Sequence, residues 1–118
     1  MENTQARGPA IFRSVKDTPE ERGVCGFRRR MITDEETDAA NVTFLRVNDS
    51  KMHYHKQMTE FYYVLRGGGT ITLDGETRPI TEGDLVMIPP GIRHTSDGEM
   101  DVLITGVPPQ ETQDVHFD

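Results

Sequence analysis

The chain has no tryptophan, a single cysteine and no apolar run that approaches bilayer length. Each shortage excludes something. One cysteine, Cys25, cannot form an internal disulfide, which fits a reducing cytoplasm. With no second cysteine or activating neighbour in view, Cys25 reads as a small buried strand residue rather than a reactive thiol. A membrane span needs roughly 20 consecutive apolar residues, so none is expected. Residues 1–8 lack an apolar h-region, so no signal peptide is expected either. Positive charge is also short: 13 Lys and Arg stand against 20 Asp and Glu, for a net charge of −7. An acidic surface repels phosphate backbones and anionic lipid, so neither nucleic acid nor membrane is expected as a partner. Only 34% of the residues are hydrophobic. Such a chain needs one economical core, or a core completed by a partner chain.

What is abundant is punctuation, with 11 glycines and 7 prolines in 118 residues. Residues 1–10 read as a flexible N-terminal tail and 110–118 as an acidic C-terminal tail, with His116 solvent-facing. Between them, residues 11–109 read as one domain. Residues 11–15 suggest a short strand. Thr18, Pro19, Glu20 and Glu21 form a helix-start signal that Gly23 cuts to about one turn. Residues 24–32 and 42–47 read as strands, and 33–38 as a loop or single turn. A strand over 60–65 is expected to close at Arg66-Gly67-Gly68-Gly69. Asp74-Gly75 is a strong two-residue hairpin signal between 70–73 and 77–80, with Pro79 marking an edge. Residues 85–88 and 102–107 complete the set. Short, regularly spaced strands without long helices predict an all-β sandwich or barrel.

Four potential metal donors stand out: His53, His55, Glu60 and His94. His53 and His55 are two apart, so on a strand both imidazoles face one side while Tyr54 faces the other. Residues 56–59 allow a bend that can return Glu60. His94 follows Pro89-Pro90-Gly91, a turn that sets its direction. Three imidazoles and one carboxylate suit one divalent transition metal: Fe, Mn, Zn, Ni, Co or Cu. Calcium or magnesium would want more oxygens.

These two segments resemble the paired signature motifs of the cupin superfamily. The first pattern, His-x-His, four residues, Glu, six residues, Gly, is met by His53, His55, Glu60 and Gly67. The second pattern, Gly, five residues, Pro-x-Gly, two residues, His, is met by Gly83, Pro89, Gly91 and His94. Fifteen residues separate Gly67 from Gly83, similar to small single-domain cupins. Motif 1 spans about 47–67 and motif 2 about 83–98. Val47 and Gly98 depart from the glycine that opens the first pattern and the asparagine that often ends the second. The resemblance implies a double-stranded β-helix, or jelly-roll, barrel with the four donors inside it. It also implies a homodimer and a small-molecule ligand.

Around that centre, Tyr62 shares the expected face of Glu60 and is a candidate catalytic phenol. Its ordinary alternative is core packing. Arg28 and Arg30 share a strand face and are candidates for clamping a substrate carboxylate or phosphate. A solvated strand is the bland alternative. Arg46, inside an apolar strand, is a candidate internal anion contact. Arg93 should face away from the metal. The resemblance implies an enzyme acting on a small polar molecule, and the ligand type favours an iron-dependent oxygenase. The alternatives are a sugar-type isomerase, epimerase or lyase, and a non-catalytic module that binds a metal and a small ligand.

Overall fold

The computed structural model describes residues 8–109 and 113–118. Its seven strands are β1 (Glu21–Arg22), β2 (Gly26–Ile32), β3 (Asn41–Val47), β4 (Thr59–Leu73), β5 (Glu76–Thr81), β6 (Leu85–Ile88) and β7 (His94–Val107). The one helical element among the described residues is a single 3-10 turn, Val15–Asp17. No helix of the described residues is long and apolar enough to cross a membrane.

The long strands β4 and β7 pair from Thr59↔Val107 to Leu73↔His94. This ribbon belongs to two sheets. Its one half, Glu60 to Tyr63 of β4, also pairs with β6, while β3, β2 and β1 extend from β7 on the other side. Its other half pairs with β5. The ribbon turns between the sheets at a bulge between Val64 and Arg66, followed by the glycines of β4. There Gly69 pairs with Gly98, and a Cβ on Gly69 would run into the Asp97 carbonyl. Gly98 adopts φ 125°, a region that side chains rarely permit. The glycine run therefore does not end a strand, as expected from sequence. It lets one strand fold over without stopping, and a jelly-roll barrel results.

Alternation fixes what faces inward. Along β4, Glu60, Tyr62 and Val64 are buried, while Tyr63 and Leu65 are exposed. Register extends this face across the sheet. One inner row runs Asn41–Gly106–Glu60–Ile88, the next Thr43–Ile104–Tyr62–Val86, and a third Leu45–Val102–Val64. The third row merges with Val47, Ile71 and Met100 into the apolar core. The hairpin at Asp74 (φ 47°) and Gly75 (φ 85°) is the two-residue turn that the sequence predicts, with the two positive φ angles of type I′. Pro79 sits on β5, which pairs only with β4 and so tolerates a missing donor.

The N-terminal segment differs from expectation. Residues 11–15 form no strand, and Thr18 starts no helix. Its hydroxyl donates back to the Ser14 carbonyl at 2.8 Å, closing the preceding turn, and Glu21–Arg22 then pairs with β2. The expected N-terminal tail lies mostly outside the described residues. At the other end, residues 110–112 lie outside them too, but 113–118 pack on the barrel. His116 is half-buried and bonds the Tyr54 backbone in both directions at 3.0 Å, so the solvent-facing reading is corrected.

Candidate metal centre

The four donor residues meet. Ligand atoms of His53, His55, Glu60 and His94 all lie within 4.8 Å of one another, and all four residues are buried. Each arrives by a different local device. His53 and His94 form an isolated antiparallel bridge, with backbone bonds of 3.1 and 2.9 Å. His55 is held by its carbonyl, which accepts from the Gly91 N–H at 2.7 Å. The Pro-Pro-Gly turn that aims His94 thus also clamps the backbone of His55. Glu60 comes from the start of β4, on the inner row.

The ring orientations are defined by carbonyls, which can only accept. His53 Nδ1–H donates to Lys51 O at 2.8 Å, His55 Nδ1–H to Asp114 O at 2.6 Å, and His94 Nδ1–H to Ile92 O at 2.8 Å. Every Nε2 is therefore the free lone pair in the neutral ring, and all three turn toward one another. Metal-binding imidazoles are oriented in this manner by a carbonyl or carboxylate on the far nitrogen. His94 Nε2 is buried without a hydrogen-bond partner, although Glu60 Oε1 stands 3.3 Å away. Two acceptors face each other there, and a cation is what reconciles them. The cluster suits a single metal ion.

Protonation follows the same geometry. Burial pulls the His53 imidazole down to about 4, with the neighbouring His94 adding to the effect. Burial works in the same direction on His55, but its 3.0 Å contact with Glu60 outweighs it and raises this imidazole. Burial would push the Glu60 carboxyl up, yet its 3.0 Å contact with His55 and the nearby His94 ring hold it down at about 2. Without a metal, the His55–Glu60 pair shares the site's proton.

The remaining predicted residues divide. Tyr62 is buried on the cavity wall beside Glu60, with its hydroxyl 4.0 Å from Cys25 Sγ. Burial raises its phenol well above the ordinary value. Cys25 touches His53 Nε2 at 3.9 Å, and burial and the Glu60 charge push its thiol up to about 11, so it stays a neutral wall residue. Arg28 lines the cavity. Arg30 shares the Arg28 face, and both reach Glu21, at 2.9 and 3.0 Å, but Arg30 does not line the cavity. Arg46 points outward, because Leu45 and Val47 take the inward positions of β3. Its side chain is 58% exposed and faces Asp101, so it makes no internal anion contact. Arg93 faces away as expected, stacking 3.6 Å over Tyr54.

Sequence reasoning missed the C-terminal segment. The Asp114 carboxylate accepts from the backbone N–H groups of Lys56, Gln57 and Met58 at 2.8, 2.8 and 2.9 Å. Those are three of the four residues between His55 and Glu60. Its own carbonyl orients His55. Val115 lines the cavity, and Asp118 forms a two-point ion pair with Arg93 at 2.8 and 2.9 Å. No short-range pattern signals this role. Asn41 and Thr43 also line the cavity, and the alternation with Leu45 could have found them.

Comparisons with known proteins agree with this architecture. The family model described as a cupin domain matches residues 44–105, just over half of the chain. An uncharacterised protein of Methanocaldococcus jannaschii is 33% identical over 70 residues, covering 56% of each chain. The chain therefore spans about half the length of that curated relative. A crystal structure of a protein from Planctomyces limnophilus superposes with a TM-score of 0.85 at 26% identity, over 92% of this chain and 96% of that one. Pac13 of Streptomyces, described as a nucleoside dehydratase and also solved with uridine, gives 0.81 at 21% identity over 92% of both chains. That last likeness speaks for the fold alone.

Proposed function

The chain belongs to the cupin family, and we propose that it is an enzyme that holds one divalent transition metal on His53, His55, Glu60 and His94. Its substrate is a small polar molecule bound in the barrel cavity. The carrying observation is the convergence of three carbonyl-oriented imidazole nitrogens and one carboxylate within 4.8 Å. When bound, such a metal polarises a ligand oxygen or activates dioxygen or water.

The chain's own contribution is positional and protic. Leu45, Ile104 and Val115 give the cavity apolar walls, and Tyr62 offers it one polar group beside Glu60. Because burial raises the Tyr62 phenol, it stays protonated at neutral pH. It serves as a hydrogen-bond donor and general acid toward an oxygen of the bound molecule, and not as a base. A neutral acid beside a Lewis-acidic centre favours proton-transfer chemistry, namely dehydration, isomerisation or lyase cleavage. Pac13, whose barrel is similar, is described as a nucleoside dehydratase, one member of that class. An iron-dependent oxygenase is the second reading, favoured by the donor set itself. Oxygen uptake by the Fe(II)-loaded protein across small carboxylic acids, thiols and phenols separates the two. Turnover that continues under nitrogen supports the first, and turnover that stops with the oxygen supply supports the second.

Tyr62→Phe is expected to slow turnover by about a hundred-fold, the scale of a positioned general acid, with unchanged metal content. Stability should move by less than about 1 kcal/mol, since the hydroxyl's one partner among the described residues is a thiol at 4.0 Å. Full activity in the variant would remove Tyr62 from the mechanism.

We further propose a homodimer through the outer face of β4 and β6. Cross-strand pairs Phe61↔Met87 and Tyr63↔Leu85 stand there in register, with Leu85 64%, Met87 57%, Tyr63 43% and Leu65 40% exposed. A contiguous apolar face of this kind is a usual site for a second subunit. Light scattering should give twice the 13.3 kDa chain mass, and Leu85→Asp should return it to one chain. A monomeric wild-type protein would refute the dimer.

A further inference from the structure

The cavity beside the donor cluster is small, about 80 Å³, and lies next to a groove of about 720 Å³. Gly23, Val24, Arg28 and Val115 line both spaces, so the two adjoin across these residues. By a measure in which one water takes roughly 10–15 Å³, the inner space holds only a handful of heavy atoms. A ligand larger than that leaves its remainder in the groove.

The groove is basic on an acidic protein. Arg22, Arg28 and Lys51 line it against the single carboxylate of Asp49, whereas the whole chain carries −7. Such a reversal of sign draws anions to one place. The three cations are not equally engaged. Arg22 is already bonded to Asn48 Oδ1 at 2.9 Å and to Asp49 O at 3.1 Å. Arg28 gives only its Nε, to Glu21 at 3.0 Å, and its two terminal Nη groups make no hydrogen bond among the described residues. Lys51 makes no ion pair among the described residues. Register explains the position of Arg28. It pairs with Leu45, whose row Leu45–Val102–Val64 faces the interior, so its side chain lies on the inner face where β2 extends the sheet.

On the reading that the cavity takes a small molecule, we propose that Arg28, with Lys51 in the same groove, binds an oxyanion carried by that molecule. The oxyanion is a carboxylate or phosphate, while the molecule's other end reaches the donor cluster. A guanidinium with two free Nη groups offers the paired donors that such oxyanions accept. The substrate class is thus a small organic acid or phosphate ester, longer than the inner cavity.

The test follows the arginine Nε–H resonances by NMR during titration with succinate, inorganic phosphate and the neutral dimethyl succinate. Chelator-treated and metal-loaded protein are titrated in parallel. Arg28 should shift saturably with succinate, phosphate or both, and not with the diester. Whichever anion binds identifies the favoured group. Affinity should fall about tenfold in Arg28→Gln, fall less in Arg28→Lys, and weaken as salt is raised. Outward-facing Arg46 is the internal control and should not respond. Equal responses at Arg46 and Arg28, binding of the diester as tight as the anions, or an unchanged Arg28→Gln would each overturn the proposal. Because Arg28 is no metal ligand, its response should persist after chelation. A protein that binds succinate at Arg28 but takes up no metal would sink the metal reading and leave this one standing.

Discussion

His94→Ala is expected to lower metal affinity by a hundred-fold or more and to leave the chain folded. Four-ligand sites of comparable type bind with roughly 10–16 kcal/mol, so one ligand carries on the order of 3 kcal/mol. His94 is also expected to be dispensable for folding of the metal-free protein. It is 1% exposed, and truncating a side chain so buried leaves a cavity. Yet its Nε2 is an orphan facing a carboxylate at 3.3 Å, and removing that conflict offsets part of the cavity's effect. Competition titration with a chromophoric chelator reads the affinity. Thermal melts should show that chelator lowers the melting temperature of the wild type and not of the variant. The same titration has a predicted pH dependence. His53 is neutral down to about 4 and releases no proton on binding near neutrality. The raised His55 imidazole holds the proton that a metal must displace. Wild-type affinity should therefore fall about tenfold per unit as pH drops below the His55 titration, and level off above it. A variant that binds metal as tightly as the wild type would remove His94 from the site.

Asp114→Ala carries the second large effect, although it is no ligand. Its carboxylate satisfies three successive backbone N–H groups in the bend between His55 and Glu60. Burial opposes its charge, but those three bonds hold its carboxyl below the usual 3.8. The sign is that of a depressed acid. Its contribution is complete above that ordinary value and is lost as pH falls through the lowered one. Truncation leaves three N–H groups without their acceptor, that of Met58 on a buried residue and those of Lys56 and Gln57 on exposed ones, for a loss of about 3 kcal/mol. For a domain of this size, that corresponds to a drop of more than about 10 °C in melting temperature. Metal affinity should fall by about ten- to a hundred-fold, the usual result of removing a group that orients a ligand. Asp114→Asn keeps an acceptor and should recover part of both. Loss of stability with unaltered metal affinity would make residues 113–118 a structural strap alone.

The contrast between these two residues marks what the chain reveals locally. His53, His55 and His94 were legible because a metal demands donors at short, rule-bound spacings, and because period-two alternation puts His53 and His55 on one face. Parity does not carry across the bend at 56–59, so Glu60 followed from the motif pattern, and Tyr62 and Val64 then from the parity of Glu60. Arg46 was legible too, had that parity been carried along β3 from Leu45, which takes the inward position. Asp114 was not legible. It lies 56–58 residues from the backbone groups it caps, and an aspartate near an acidic chain end looks the same whether solvated or buried. The glycines of β4 misled for a related reason. Locally, Gly67-Gly68-Gly69 reads as a stop. Only the presence of Gly98 opposite Gly69 shows that two strands fold over together there.

The most direct test of the account is X-ray absorption at the metal edge of the protein purified without added metal. The prediction is about one ion per chain, with a nearest shell of nitrogen and oxygen, outer-shell scattering from three imidazole rings and one carboxylate, and no sulfur. Absence of a metal, a shell without imidazole scattering, or a metal–sulfur distance from Cys25 would contradict it.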